Sequence, residues 1–194
     1  MKPGISERSP ERAHRYVAHV DPSGGVNDSM TLAVAHKVRE TVVLDCVREF
    51  IPPFSPEGCV EAFCDVLKRY RVKRITSDRY AGEWPREQFL KRGVVCEPAE
   101  RSASQYYVDF LPQLTEGAVD LLDNERLIAQ FAALERSPRR GTHDSVSHPP
   151  SGHDDLANAV AAACSQAMAR YSAHLHERDY RPLQVESCSR QYYA

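Results

Sequence analysis

The first strongly patterned stretch, RYVAHVD (15–21), is rich in β-branched and aromatic residues and stops at Pro22, after which SGG supplies turn residues. It predicts a strand that ends on an acid. Two further apolar runs, MTLAVAHKV (30–38) and ETVVLDCVREF (40–50), meet at the charged pair Arg39 and Glu40, as in an antiparallel meander. The period then changes. In SPEGCVEAFCDVLKRY (55–70), Ser55 stands as cap and Pro56 at the first helical position, while Val60, Phe63, Cys64 and Leu67 recur at helical spacing. VKRITSD (72–78) returns to a short β-branched run, and it too ends in an aspartate.

Downstream, GEWPREQFLKRG (82–93) predicts a helix closed by Gly93, VVCEP (94–98) a fifth strand, and SASQYYVDFLPQLTEG (102–117) a helix interrupted at Pro112. AVDLLDNERLIAQFAALER (118–136) predicts a brief extended piece and a helix capped near Asp123 or Asn124. SPRRGTHDSVSHPPSG (137–152) is loop-like, with room for a short strand in HDSVSH. An alanine-rich helix follows from about Asp154 to Tyr171, with Leu156, Val160, Ala163, Ala167 and Tyr171 on one stripe. Three strands, then alternating helices and strands, then helices, predict an α/β fold on a mixed sheet.

Composition narrows the class. At 194 residues the chain suits one domain with a buried core, and no apolar run reaches the roughly 20 residues of a membrane span. The start, MKPGISERSPERAHRY, has charges and prolines where a secretion signal needs an apolar stretch, so the expectation is a soluble, cytoplasmic protein. Six cysteines without a CxxC pair read as small hydrophobes rather than as disulfides or a zinc site. A net charge of -2 gives no global attraction to nucleic acid, so any such contact must come from local basic patches. The sequence has no GxxxxGK[ST] loop for a nucleoside triphosphate.

The candidate chemistry lies in the acids. Asp21 ends the first predicted strand, Asp78 the fourth, and Asp154 and Asp155 open the alanine-rich helix. If strands one and four are parallel neighbours, their C-terminal ends meet at one edge, where a helix N-terminus can close over them. Converging carboxylates repel one another unless a cation neutralises them, and hard oxygen ligands select Mg²⁺ or Mn²⁺. Two such ions about 3.5 to 4 Å apart support hydrolysis of a phosphodiester. Taken singly, each acid reads equally as a turn residue or helix cap.

VDPSGGVNDSMTLAVAH, ITSDRYAGEWPREQFLKRGV and GHDDLANAVAAA together resemble the three acidic motifs of the nuclease domain of phage terminase large subunits, an RNase H-like family. The resemblance covers roughly residues 17–170. It implies a mixed five- to six-stranded sheet with helices on both faces, and a domain over 15–172 between a flexible start (1–14) and a peripheral tail (173–194). It also implies a metal-dependent endonuclease for double-stranded DNA, with Asp21, Asp78 and Asp155 as catalytic acids. The same three, with Asp154 as helper, would hold two Mg²⁺ or Mn²⁺ ions. The family's ATPase motor is not expected in this chain, which implies a nuclease half working with a separate packaging ATPase, small terminase or portal protein, or a prophage remnant. The same acids also suit a junction resolvase or RNase, and a silent module that binds DNA or packaging proteins stays open.

Several residues are ambiguous. Consecutive helical residues point about 100° apart, so Asp154 and Asp155 cannot both face one ion from within a helix. Asn158 stands where related nucleases often carry another acid, and an amide offers an oxygen without a charge. Asp28 reads as an outer ligand or a turn residue, and His153 as a ligand, a proton carrier or a solvated loop residue. Arg136, Arg139 and Arg140 begin the loop that leads to the aspartate doublet and are candidates for DNA phosphate contact. Trp84 suits base stacking, but at a helix start beneath a sheet it is read as core packing.

Overall fold

The computed structural model describes residues 3–79, 82–137, 145–150 and 152–179, with side chains as far as residue 169. The meander forms as the pattern predicts. β1 (Tyr16–Asp21) pairs antiparallel with β2 (Met30–Val38), and β2 with β3 (Thr41–Phe50), the turn between them being Arg39–Glu40. β4 (Arg74–Ser77) lies parallel to β1 on its other side, β5 (Val95–Pro98) lies parallel to β4, and the two-residue β6 (Val119–Asp120) lies parallel to β3. The resulting mixed sheet has six strands in the order β5-β4-β1-β2-β3-β6.

Period-two alternation gives each strand one side chain for each face of the sheet. Tyr16, Ala18 and Val20 of β1 point to the face covered by α1 (Pro56–Arg69) and α2 (Trp84–Lys91), packing with Phe63, Leu67 and Phe89. Val17 points the other way, into a second core with Phe110 of α3 (Ala103–Thr115), Leu127 of α4 (Glu125–Ala132) and the start of α5 (Asp155–Asp179). Helices therefore cover both faces. Ala157, Ala159, Ala161, Ala162 and Ala163 are all fully buried, so α5 sits close against the sheet. It runs to Asp179, beyond the end expected near Tyr171, so part of the presumed tail is helical.

Local signals explain the helix starts. Ser55 accepts from Gly58 N, Ser102 and Gln105 form a reciprocal capping box, and Asn124 accepts from Leu127 N. Gly93 takes φ +78° after α2, the left-handed conformation that glycine adopts without strain. The strand in the loop is present as well: β8 (Ser145–Ser147) pairs with β7 (Glu135–Ser137) in a two-stranded ribbon.

The start of the chain, expected to be flexible, is anchored over its described part. β3 carries a bulge that skips Asp45, and the Asp45 carbonyl accepts from Arg8 N at 2.8 Å. Tyr70 donates its hydroxyl to Arg8 O, Glu7 pairs with Arg48 and Arg69, and Asp123 N donates to Ile5 O at 2.8 Å. Charge and polarity in SERSPERAHRY, which suggested a frayed end, are the means of attachment.

Trp84 is not core. It is the first residue of α2 and is 41 % exposed, because the buried face of that helix is carried by Pro85 and Phe89, four positions apart.

Candidate active site

Register brings the first two acids together. β1 and β4 are parallel with His19 opposite Thr76 and Val20 opposite Ser77, so the next step along each chain sets Asp21 beside Asp78. One helical turn into α5, Asn158 lies over both. Its Nδ2 donates to Asp21 Oδ2 at 2.9 Å and to Asp78 Oδ2 at 3.2 Å.

Behind the acids is a polar relay that strand and helix patterning alone did not flag. His19 is fully buried; its Nε2 lies 3.4 Å from Asp78 Oδ1 and its Nδ1 is 2.8 Å from Thr76 Oγ1. Gln166 Nε2 donates to the same Thr76 oxygen at 2.7 Å. The usable signal was period two: His19 and Thr76 precede Asp21 and Asp78 by two residues, hence on the same face of their strands.

The helix-opening doublet divides its duties. Asp154 precedes α5, and its carbonyl accepts from Asn158 N at 2.7 Å. Its Oδ2 accepts from the Tyr107 hydroxyl at 2.8 Å, and its Oδ1 lies 3.7 Å from His148 Nε2. Asp155 is the first residue of α5, and its carbonyl accepts from Thr31 Oγ1 at 2.9 Å. Asp155 Oδ2 is buried without a hydrogen-bond partner, and so is Asn158 Oδ1.

A cavity of about 580 Å³ opens over this arrangement, lined by Asp21, Pro22, Ser23, Gly24, Asp28, Ser29, His148, Pro150, Gly152, His153, Asp154 and Asp155. Asp28 and His153 stand at its exposed rim, with His153 Nδ1 3.8 Å from Asp28 Oδ1. Arg136 lies on the exposed β7, opposite Val146. Arg139 and Arg140 lie outside the described residues.

Electrostatics separate the two strand-end acids. Burial, and next the negative charge of Asp78, push the Asp21 carboxyl well above its ordinary value, against the Asn158 hydrogen bond. Asp78 is also penalised by burial, but the His19 contact and the Asn158 amide outweigh it and leave that carboxyl below its ordinary value. Burial raises Asp155, with the Ser29 backbone N–H opposing. Burial likewise raises the Tyr107 phenol, assisted by Asp154, so it serves as a hydrogen-bond donor.

The oxygen-rich donor set fits a hard divalent cation. Two oxygens that lack donors, Asp155 Oδ2 and Asn158 Oδ1, and a carboxyl held at unfavourable charge, Asp21, are what a cation would satisfy. Among the described residues, no group of three or more His, Cys, Asp or Glu side chains is gathered as a ready ligand cluster. Asp21 and Asp78 are joined directly by an amide, while Asp155 shares the cavity with Asp21.

The protein is thus of the α/β class, a mixed sheet with helices on both faces and two acids at the ends of adjacent parallel strands. The large terminase nuclease from thermophilic phage G20c is similar in structure, with a TM-score of 0.70 and 16% identity over 82% of this chain and 86% of that one. The same nuclease with bound magnesium aligns with a TM-score of 0.67 at 15% identity, over 82% and 85%. The HK97 bacteriophage large terminase aligns with a TM-score of 0.67 at 11% identity, over 84% of this chain but 41% of its own length. The chain thus has the fold of a phage large-terminase nuclease domain. No protein-family model matches the sequence, and no curated protein matches it.

Proposed function

We propose that the protein is a metal-dependent endonuclease that hydrolyses phosphodiester bonds of double-stranded DNA in phage genome packaging. The observation that carries this reading is the contact of Asp21 and Asp78 with Asn158 at the edge of an open acidic cavity. The terminase fold supports it, as do the crystal structures of the G20c nuclease with bound magnesium, cobalt and zinc.

Asp21, Asp78 and Asp155, with Asp154 as helper, would hold two Mg²⁺ or Mn²⁺ ions. When bound, these supply a Lewis acid that activates water and stabilises the leaving oxygen. The protein's own part is positional. Asn158 holds the two strand-end carboxylates by one amide, and the His19–Thr76–Gln166 chain fixes Asp78 from behind. Tyr107 fixes Asp154, leaving Asp155 Oδ2 without a protein partner. His148 and His153 line the same cavity, and His153 is the candidate proton carrier or outer ligand there. Arg136, Arg139 and Arg140 are assigned to DNA phosphates, and the partners would be DNA with a packaging ATPase, small terminase or portal protein.

Incubation of supercoiled plasmid with the protein in Mn²⁺ tests the reading. Wild type should nick and linearise the plasmid, and Asp21→Asn should leave it intact. Equal inertness of both over a range of salt and protein concentration would remove the catalytic claim and favour a DNA- or protein-binding module.

A further inference from the structure

Beside the acidic cavity lies a second, less polar groove of about 300 Å³, at the small end of ligand-sized sites. Pro22, Ser23, Gly24, Pro56, Trp84 and Pro85 line it. Pro22, Ser23 and Gly24 line the acidic cavity too, so one short loop forms a wall of both. That loop directly follows Asp21.

The wall is fixed. Gly25 takes φ +81°, and a Cβ there would stand 2.5 Å from the Phe54 carbonyl oxygen, so the chain runs in direct contact with Phe54. Ser23 Oγ donates to Asp28 O at 2.6 Å and accepts from Gly25 N at 3.3 Å. Opposite, Trp84 is 41 % exposed, and among the described residues no aromatic ring packs on it. A partly exposed indole that no described aromatic ring covers, at a groove lined by prolines, offers a stacking surface.

We infer that Trp84 is a stacking platform for an unpaired nucleobase next to the scissile phosphate. This rests on the nuclease reading, because the loop shared by the two cavities sets the groove next to the one where that phosphate would sit. A base inside a duplex has both faces covered, so it reaches Trp84 only after leaving the stack, at a cost that is smallest for mismatched or single-stranded DNA. Trp84 thus makes strand distortion at the cut part of substrate selection. Among double-stranded substrates, the favoured one is a duplex with an unpaired base beside the cleaved bond.

Trp84 is the only tryptophan, so its emission reports the contact directly. Asp21→Asn protein in Mg²⁺, which leaves the strand uncut, is titrated with a labelled single-stranded oligonucleotide while anisotropy and tryptophan emission are both followed. The expected result is saturable quenching with the anisotropy midpoint, less quenching by the fully paired duplex, and none by an abasic strand of equal length. Trp84→Ala should weaken single-strand binding by about 5- to 150-fold, and Trp84→Phe should retain most of it. Binding with unchanged emission, equal quenching by abasic and ordinary strands, or no single-strand binding overturns the inference. Wild-type plasmid cleavage is the separate readout of the nuclease reading: quenching without cleavage leaves the platform standing and removes the hydrolase, and cleavage without quenching does the reverse.

Discussion

Asn158 donates from a single nitrogen to Asp21 at 2.9 Å and to Asp78 at 3.2 Å, so an uncharged amide joins the two strand-end acids. Its oxygen is buried and unpartnered. Replacing Asn158 by Asp would put a third carboxylate against two others and remove the donor. Metal-free Asn158→Asp should be destabilised by about 3 kcal/mol, and Mn²⁺ should raise its melting temperature by more than it raises that of wild type. Equal Mn²⁺ shifts in the two proteins, measured by calorimetry, would show that position 158 has no part in ion binding.

Asp21 is the more strained of the pair, since burial and Asp78 both disfavour its charge. Asp21→Asn should therefore raise the stability of the metal-free protein at neutral pH while abolishing plasmid cleavage. Denaturant midpoints without divalent ions check this; a loss of stability would mean that the carboxylate is needed for packing.

Tyr107→Phe removes the 2.8 Å hydrogen bond to Asp154 Oδ2 and leaves the ring in place. The expected cost is about 1 to 3 kcal/mol of stability, with lowered cleavage and unchanged secondary structure. Urea unfolding and circular dichroism give the first and last quantities. Undiminished cleavage would separate Asp154 from the reaction.

Gly25→Ala should cost at least about 2 kcal/mol, because it places a side chain at φ +81° and a Cβ 2.5 Å from the Phe54 carbonyl. For a domain of this size that corresponds to a fall in melting temperature of about 4 to 8 °C. A thermal melt within one degree or so of wild type would mean that the loop and Phe54 separate easily.

The strap at the start of the chain has its own pH dependence. Burial raises the Glu7 carboxyl, but its hydrogen bond to Arg48 and the charges of Arg48 and Arg69 outweigh that and hold it below the ordinary value. A lowered carboxyl means that the unfolded chain binds the proton more tightly, so this stabilisation is present above the ordinary carboxylate range and is lost as pH falls below it. Glu7→Gln should cost less than about 1 kcal/mol at pH 7 and progressively less as pH falls below the ordinary carboxylate range, read as the difference in urea midpoints along a pH series.

The strand ends Asp21 and Asp78 were legible because β-branched runs stop abruptly at acids, and the order of elements implied that those ends could be neighbours. The sheet and its two helical faces followed from the same periods. Less was readable where tertiary contact overrides local character. The polar start of the chain looked free because its partners, Asp45, Tyr70 and Asp123, lie far along the sequence. Trp84 looked buried because an indole usually is, yet Phe89 one turn later takes the core position. His19 and Thr76 sit within strand patterns that carry no chemical signal of their own, although sharing a face with the acids marks them as support.

The alanines that open α5 also bear on tolerance to change. Because five of them are fully buried, against the sheet on one side and α3 and α4 on others, the core packs directly on the helix that carries Asp155 and Asn158. A larger side chain at any of these positions would lift the helix and carry both residues away from Asp21. The interior of this fold therefore works as a gauge block: core volume sets the spacing of the reactive groups, and a lineage could retune or silence the site without altering a single acid.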